Sequence, residues 1–195
     1  GGDAVPVAAD PTRFNDAGEL DWCLASLLRH APWLRTIHVV TDRQVPPALA
    51  KLAGTPYAER VRVVDHAAVF AGYEKYLPTF NSRAISAMLW RIPDLAEDFL
   101  YVNDDFAVVQ PVQPTDFFRD GRVVLRGHWR PQSAHQPLRR ALEAVRRWRG
   151  AEPSRAARMR VRNRTGQENG ARAAGFEREY LRLAHHPHPM RRSTL

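Results

Sequence analysis

The sequence predicts an α/β fold, a largely parallel sheet with helices on both of its faces. Three observations carry that prediction. Thr36–Thr41, Val61–Val64 and Phe99–Val102 are β-branched or aromatic runs of strand length. Segments with helical spacing lie between them. Each run is followed at once by polar turn residues: Asp42, then Asp65-His66, then Asn103-Asp104-Asp105.

Element by element, Asp16 with Glu19 forms a capping-box pair, and Leu20, Leu24, Leu27 and Leu28 then repeat at helical spacing until Pro32. Pro46-Pro47 suits the first turn of a short helix. Ser82 to Arg91 reads as a helix. In the second half, Pro137 to Arg149 reads as amphipathic, with Leu138, Leu142 and Val145 on one face and Arg139, Arg140, Arg146 and Arg147 largely on the other. Residues 150–170 are rich in Arg, Ala and polar residues and read as including a mobile loop, and Ala171 to Leu183 as a further helix. With no clean linker and no internal repeat, the expectation is one domain over 1–195. Within it, 1–118 forms the α/β core and 119–195 a basic helical and loop part.

The bulk numbers exclude several classes. A chain of 195 residues with 44% hydrophobic and 26% charged residues has ordinary globular composition, not that of a disordered chain. No apolar run approaches the ~18 residues of a membrane span. The single cysteine, Cys23, rules out an intramolecular disulfide framework or a multi-cysteine zinc cluster. The sequence opens at Gly1 without Met and stops at Leu195 in mid-pattern, so it reads as a fragment.

Charge is unevenly placed. Residues 1–118 carry a net −5 and residues 119–195 a net +13, within a total of +8. The basic half, with arginine and no lysine, suits a phosphate-rich partner or substrate. An arginine-rich composition bias explains it equally well, since only Lys51 and Lys75 are lysines.

The strand ends hold the chemistry. In open α/β sheets ligands bind beyond the carboxyl ends of the strands, so the three acidic turns can converge on one crevice. Asp42 alone reads as a turn residue. Asn103-Asp104-Asp105 reads differently, because adjacent carboxylates repel unless a cation or hydrogen-bond network stabilises them. Hard oxygen ligands of this kind suit Mg²⁺ on nucleotide phosphates. Near the other end lies His185-His186-Pro187-His188-Pro189. Without a nearby carboxylate or cysteine in sequence it makes a poor structural zinc site. A histidine on a proline-stiffened backbone fits proton transfer from a hydroxyl better.

These residues resemble a known family. Arg13-Phe14-Asn15-Asp16 with Glu19-Leu20, His30-Ala31-Pro32-Trp33, Val40-Thr41-Asp42 with Gln44-Val45-Pro46, Leu77-Pro78-Thr79-Phe80-Asn81-Ser82 with Ala84-Ile85, Arg91-Ile92-Pro93, and Tyr101-Val102-Asn103-Asp104-Asp105 follow in order. Together, over roughly residues 13–118, they resemble the second conserved region of the Stealth proteins. Gly1-Gly2-Asp3 is similar to the tail of the first region, and His185-His186-Pro187-His188 with Arg192 to the start of the third. Two positions depart from the pattern: Ala25 stands where arginine is usual, and Ser86 where glutamate is frequent.

The resemblance implies a Rossmann-like, GT-A-like fold and a hexose-1-phosphate transferase. Such an enzyme moves a sugar-1-phosphate from a nucleotide-sugar donor to a saccharide hydroxyl, as in capsule or surface polysaccharide synthesis. It also implies a divalent cation, Mg²⁺ or Mn²⁺, held by Asp104 and Asp105. His185 is then the base, with His188 as a secondary candidate. Asp3, Arg13, Asp16, Asn81, Ser82, Asn103 and Arg192 contact donor or acceptor. The expected setting is the bacterial cytoplasm at the inner face of the membrane, with peripheral association and no specific nucleic acid. Two alternatives stay open: a GT-A-type glycosyltransferase that releases nucleoside diphosphate, and a nucleic-acid-binding module that uses the basic half, with Trp129 and Trp148 stacking on bases.

Overall fold

The computed structural model describes residues 18–79, 81–136, 141–142, 144–145, 148–150, 163–184 and 186–195. They divide into two compact units, one of residues 18–124 with 186–195 and the other of 125–184.

The first unit begins with helix α1, Glu19–His30. Its start is at Gly18, whose φ of 85° is a left-handed conformation that glycine adopts freely. Glu19 and Asp21 in the first turn and Arg29 and His30 in the last complement the helix dipole. Cys23, Leu24, Leu27 and Leu28 form its buried stripe, each large side chain stabilising the fold by roughly 1.5–3 kcal/mol. The expected cap residue Asp16 lies outside the described residues.

Strand β1, Ile37–Thr41, follows and pairs in parallel with β2, Val61–Asp65, from Ile37 opposite Val61 to Thr41 opposite Asp65. The crossover between them carries α2, Pro47–Ala50, which opens on proline as its sequence requires. Arg60, just before β2, donates to the carbonyls of Pro32 and Leu34 in the loop before β1. Asp65 then caps α3, His66–Val69, and Asn81 caps α4, Ser82–Ser86. The Ser82–Arg91 helix of the sequence reading is therefore shorter than expected, with a 3₁₀ turn at Leu89–Arg91 after it. Val69, Phe70, Leu89 and Ile92 form the main core cluster, against which Val40, Val64 and Tyr101 pack.

The sheet departs from the sequence expectation at its third strand. Strand β3, Asp98–Tyr101, pairs with neither β1 nor β2. Two-residue strands β4, Phe118–Arg119, and β5, Arg122–Val123, form a tight hairpin over Asp120-Gly121, whose positive φ angles (49° and 68°) match an inverse turn. The partner of β3 comes from far along the chain and runs antiparallel. It is His188–Arg191, with Asp98 opposite Arg191 and Tyr101 opposite His188. The chain is thus a mixed α/β fold, and the single parallel pair among the described residues is β1–β2.

The second unit pairs β6, Gly127–Pro131, antiparallel with β7, Glu179–Leu183, and packs helix α5, Asn163–Ala173, against β7. Residues 171–183, expected as one helix, are instead a helix end, a turn and a strand. Gly175, at φ 88°, takes the chain out of the helix, and Tyr180-Leu181-Arg182-Leu183 finds a ladder partner in β6. Within 150–170, residues 163–170 are helical, and 151–162, where the expected loop would fall, lie outside the described residues. Most of the expected Pro137–Arg149 helix lies outside the described residues. Buried Gln132 and Glu168 hold this unit together. Gln132 donates to the Phe176 carbonyl and accepts from Arg172 at 3.1 Å, while Glu168 accepts from the Ser133 amide and hydroxyl at 3.1 and 2.6 Å. From here the strand His188–Arg191 of the first unit is called β8.

Candidate functional site

The chemistry of the first unit gathers at the carboxyl end of β3. Asn103 is half-buried, and Asp104 and Asp105 are exposed beside it. From α1, the Cys23 thiol donates to the Asn103 carbonyl at 3.6 Å. That contact ties the buried helix stripe to the turn that carries the acids. Cys23 is pushed up to about 11, by burial first and then by the negative charges of Asp104 and Asp105. The Tyr101 hydroxyl is raised by the same causes in the same order. Both groups therefore sense an acidic field from the pair.

This donor set fits a hard cation that keeps other ligands. Two adjacent carboxylates and an amide side chain leave most of a coordination shell to water and phosphate oxygens, as Mg²⁺ prefers. No group of three or more His, Cys, Asp or Glu able to hold a metal occurs among the described residues. That excludes an all-protein cage built from those residues alone, and does not disfavour a two-carboxylate site completed by substrate.

The β3–β8 ladder brings the histidine motif to the same place. His188 stands opposite Tyr101, two residues before Asn103, and their rings stack with centroids 6.4 Å apart and planes at 15°. The ring of His186 lies 5.1 Å from that of His188. His186 and His188 thus flank the strand end that carries the carboxylates. His185 itself lies outside the described residues, as do Asp3, Arg13 and Asp16.

Other expected site residues fall in several places. Ser82, at the start of α4, lines the cavity that also borders Asn103 and Asp104. Asn81 uses its side-chain oxygen to cap α4, accepting from the Arg83 amide at 3.1 Å. Arg192 is at the opposite end of the four-residue strand β3 from Asp104, with its guanidinium donating to the Leu95 carbonyl. Neighbouring Arg191 makes a two-point pair with Asp98 at 2.9 and 3.4 Å. The carboxylates after β1 and β2 are engaged locally. Asp65 accepts from the Ala67 and Arg43 amides, both at 2.7 Å, and these bonds hold its pKa down. Asp42 pairs with Arg43 at 3.2 Å. Sequence reading missed Tyr101 and Cys23 as neighbours of the acidic pair, because only the tertiary contact between α1 and the β3 turn joins them.

The comparisons with known proteins show the family of the chain. The model of the Stealth protein conserved region 2 matches residues 13–125. The chain belongs to the Stealth family. It is 43% identical over 116 residues to the capsular polysaccharide phosphotransferase LcbA of Aeromonas hydrophila, covering 60% of this chain and 30% of that protein. It is 43% identical over 111 residues to an exopolysaccharide phosphotransferase of Streptomyces coelicolor, covering 57% of this chain and 18% of that protein. A third relative, an exopolysaccharide phosphotransferase of Nocardia farcinica, is 36% identical over 191 residues, which is 94% of this chain and 32% of that protein. The chain therefore spans a third or less of the length of these relatives.

Proposed function

We propose that the protein carrying this chain is a phosphotransferase of polysaccharide synthesis that moves a sugar-1-phosphate from a nucleotide sugar to a saccharide hydroxyl. The observation that carries the reading is the β3–β8 register, which sets the His186–His188 segment beside Asn103-Asp104-Asp105. A carboxylate pair and a histidine motif on neighbouring strand ends suit phosphoryl transfer, where positioning and charge stabilisation do most of the catalysis. In this proposal the sheet is Rossmann-like.

On this reading the acceptor hydroxyl attacks the β-phosphorus of the donor. The bond from that phosphorus to the bridging oxygen breaks, and nucleoside monophosphate leaves. His185, one residue before His186, takes the hydroxyl proton. Asp104 and Asp105 hold Mg²⁺ or Mn²⁺, which supplies positive charge against the diphosphate when bound. Asn103 and Ser82 orient donor oxygens from the cavity wall, with Arg13 and Asp16 as further donor contacts. The reaction runs on the cytoplasmic side of the membrane, where nucleotide sugars are made.

The test is a donor labelled in its β-phosphate, given to the full-length protein with a saccharide acceptor. Label recovered in the saccharide with release of nucleoside monophosphate supports the proposal. Label recovered in nucleoside diphosphate makes the protein a glycosyltransferase and overturns it.

A further inference from the structure

The second unit holds a pocket of about 440 Å³ that the chemistry proposed above does not use. Trp129, Arg130 and Pro131 of β6 border it together with His135, Arg178 and Glu179. It lies at the end of the β6–β7 ladder, where Pro131 opposite Glu179 is the last rung. Successive strand residues point to opposite faces, so a space bordered by three in a row runs along the strand's edge. Its size falls within the ~300–1,000 Å³ of ordinary ligand pockets.

The aromatic wall of this pocket is fixed from behind. Gln132, 1% exposed, donates through its side chain to the Phe176 carbonyl and through its amide to the Arg178 carbonyl at 2.8 Å. These bonds pin residues 176–178 to the end of β6. The Trp129 and Phe176 rings meet with centroids 5.2 Å apart and planes at 44°. Even so, Trp129 is 51% and Phe176 45% exposed. An indole held in place with half its surface in water offers apolar contact at little cost in ordering. Around it, Arg130 and Arg178 are exposed and form no ion pair with any described residue. Their planar guanidiniums suit two-point pairing with phosphate oxygens. Glu179 adds one carboxylate, which accepts hydrogen bonds from hydroxyl groups.

We propose that this pocket binds a saccharide chain carrying phosphodiester links, the acceptor or product of the reaction; the inference rests on the proposed function. The apolar C–H face of a sugar ring stacks on Trp129, beside Phe176. Arg130 and Arg178 take the oxygens of a neighbouring phosphodiester, and Glu179 takes a sugar hydroxyl. The pocket lies in the part of the chain that carries the net +13, which gives that charge a ligand. A single-stranded nucleic acid fits less well. It presents a phosphate at every nucleotide and favours a series of stacking platforms along a basic groove. Here one aromatic pair stands at the pocket, and Glu177 and Glu179 flank Arg178 on both sides.

Calorimetric titration of the full-length protein tests this with a glucose oligomer joined by phosphodiesters, a phosphate-free glucose oligomer of the same length, and a short oligothymidylate. The phosphodiester oligomer is expected to bind about 10-fold or more tightly than either of the others. Trp129→Ala, and Arg130→Gln with Arg178→Gln, should each weaken that binding by about 10-fold or more, while Trp129→Phe, which keeps an aromatic face, stays within about 3-fold of wild type. Both arginines are exposed, so their exchange should leave the unfolding midpoint in place. Equal binding of the two glucose oligomers, binding of neither, or an affinity indifferent to these variants overturns the proposal. Tighter binding of the oligothymidylate also overturns it and makes the pocket a nucleic-acid site. The β-phosphate label reports on the reaction separately: label in the saccharide with no oligomer binding removes this site alone, and label in nucleoside diphosphate removes the reaction.

Discussion

Cys23 is a built-in reporter of the acidic pair. Its thiol is displaced from an ordinary 9.0 to about 11, with burial as the first cause and Asp104 and Asp105 as the next two. Two pH units amount to ~2.7 kcal/mol of preference for thiol over thiolate. Replacing both acids by asparagine removes the charge contribution but leaves the burial, so the midpoint should fall part of the way toward 9. Saturating Mg²⁺ should lower it in the same direction, because bound cation cancels the same two charges. The sign of the stability effect follows. Above pH 9 the unfolded chain releases this proton while the folded chain keeps it until about 11. Stability is therefore lost as pH rises through that window, by up to ~2.7 kcal/mol, relative to Cys23→Ala. The chain has one cysteine, so ¹³Cβ labelling gives a single resonance whose titration can be followed directly. A midpoint near 9, or one unmoved by Asp104→Asn with Asp105→Asn and by Mg²⁺, would refute the placement of the acids beside this thiol.

Three further outcomes are expected. His185→Ala in the full-length protein should cost roughly 10²–10⁴ in turnover with donor affinity little changed, and His186→Ala should be nearly silent; the reverse order, read from steady-state rates, would move the base by one residue. Gly127→Ala should destabilise the second unit by about 1–3 kcal/mol, since an added Cβ would lie 2.2 Å from the Arg182 carbonyl oxygen; a denaturation midpoint equal to wild type would contradict the close β6–β7 approach. Glu168→Ala leaves the Ser133 amide and hydroxyl without their shared acceptor and should cost ~1–3 kcal/mol in the same assay.

Much of the first unit was legible because its signals are local. The β-branched run at Ile37–Thr41, the stripe Leu24, Leu27, Leu28 and the prolines before α2 each fix an element through their own neighbours. The acidic turn was legible for the same reason, as two adjacent carboxylates are conspicuous in any chain. The antiparallel partner of β3 was not, because His188–Arg191 lies some ninety residues away and contains Pro189, a residue that argues against a strand unless it is an edge. Residues 171–183 misled for a related reason. Their alternation is short, and the turn at Gly175 outweighs the helical composition around it. The closeness of the acids to His186 and His188 is likewise a tertiary fact, set by strand register and absent from any single segment.

In the proposed function Asp104 and Asp105 would hold a divalent cation against the donor phosphates. The most direct test of that role is turnover of the β-labelled nucleotide sugar by the full-length protein and its Asp104→Asn and Asp105→Asn variants across a Mg²⁺ series, with thermal unfolding recorded alongside. Each variant is expected to keep the wild-type unfolding transition and lose most of its Mg²⁺-dependent rate. Variants that turn over at the wild-type rate with the same Mg²⁺ dependence would contradict that role.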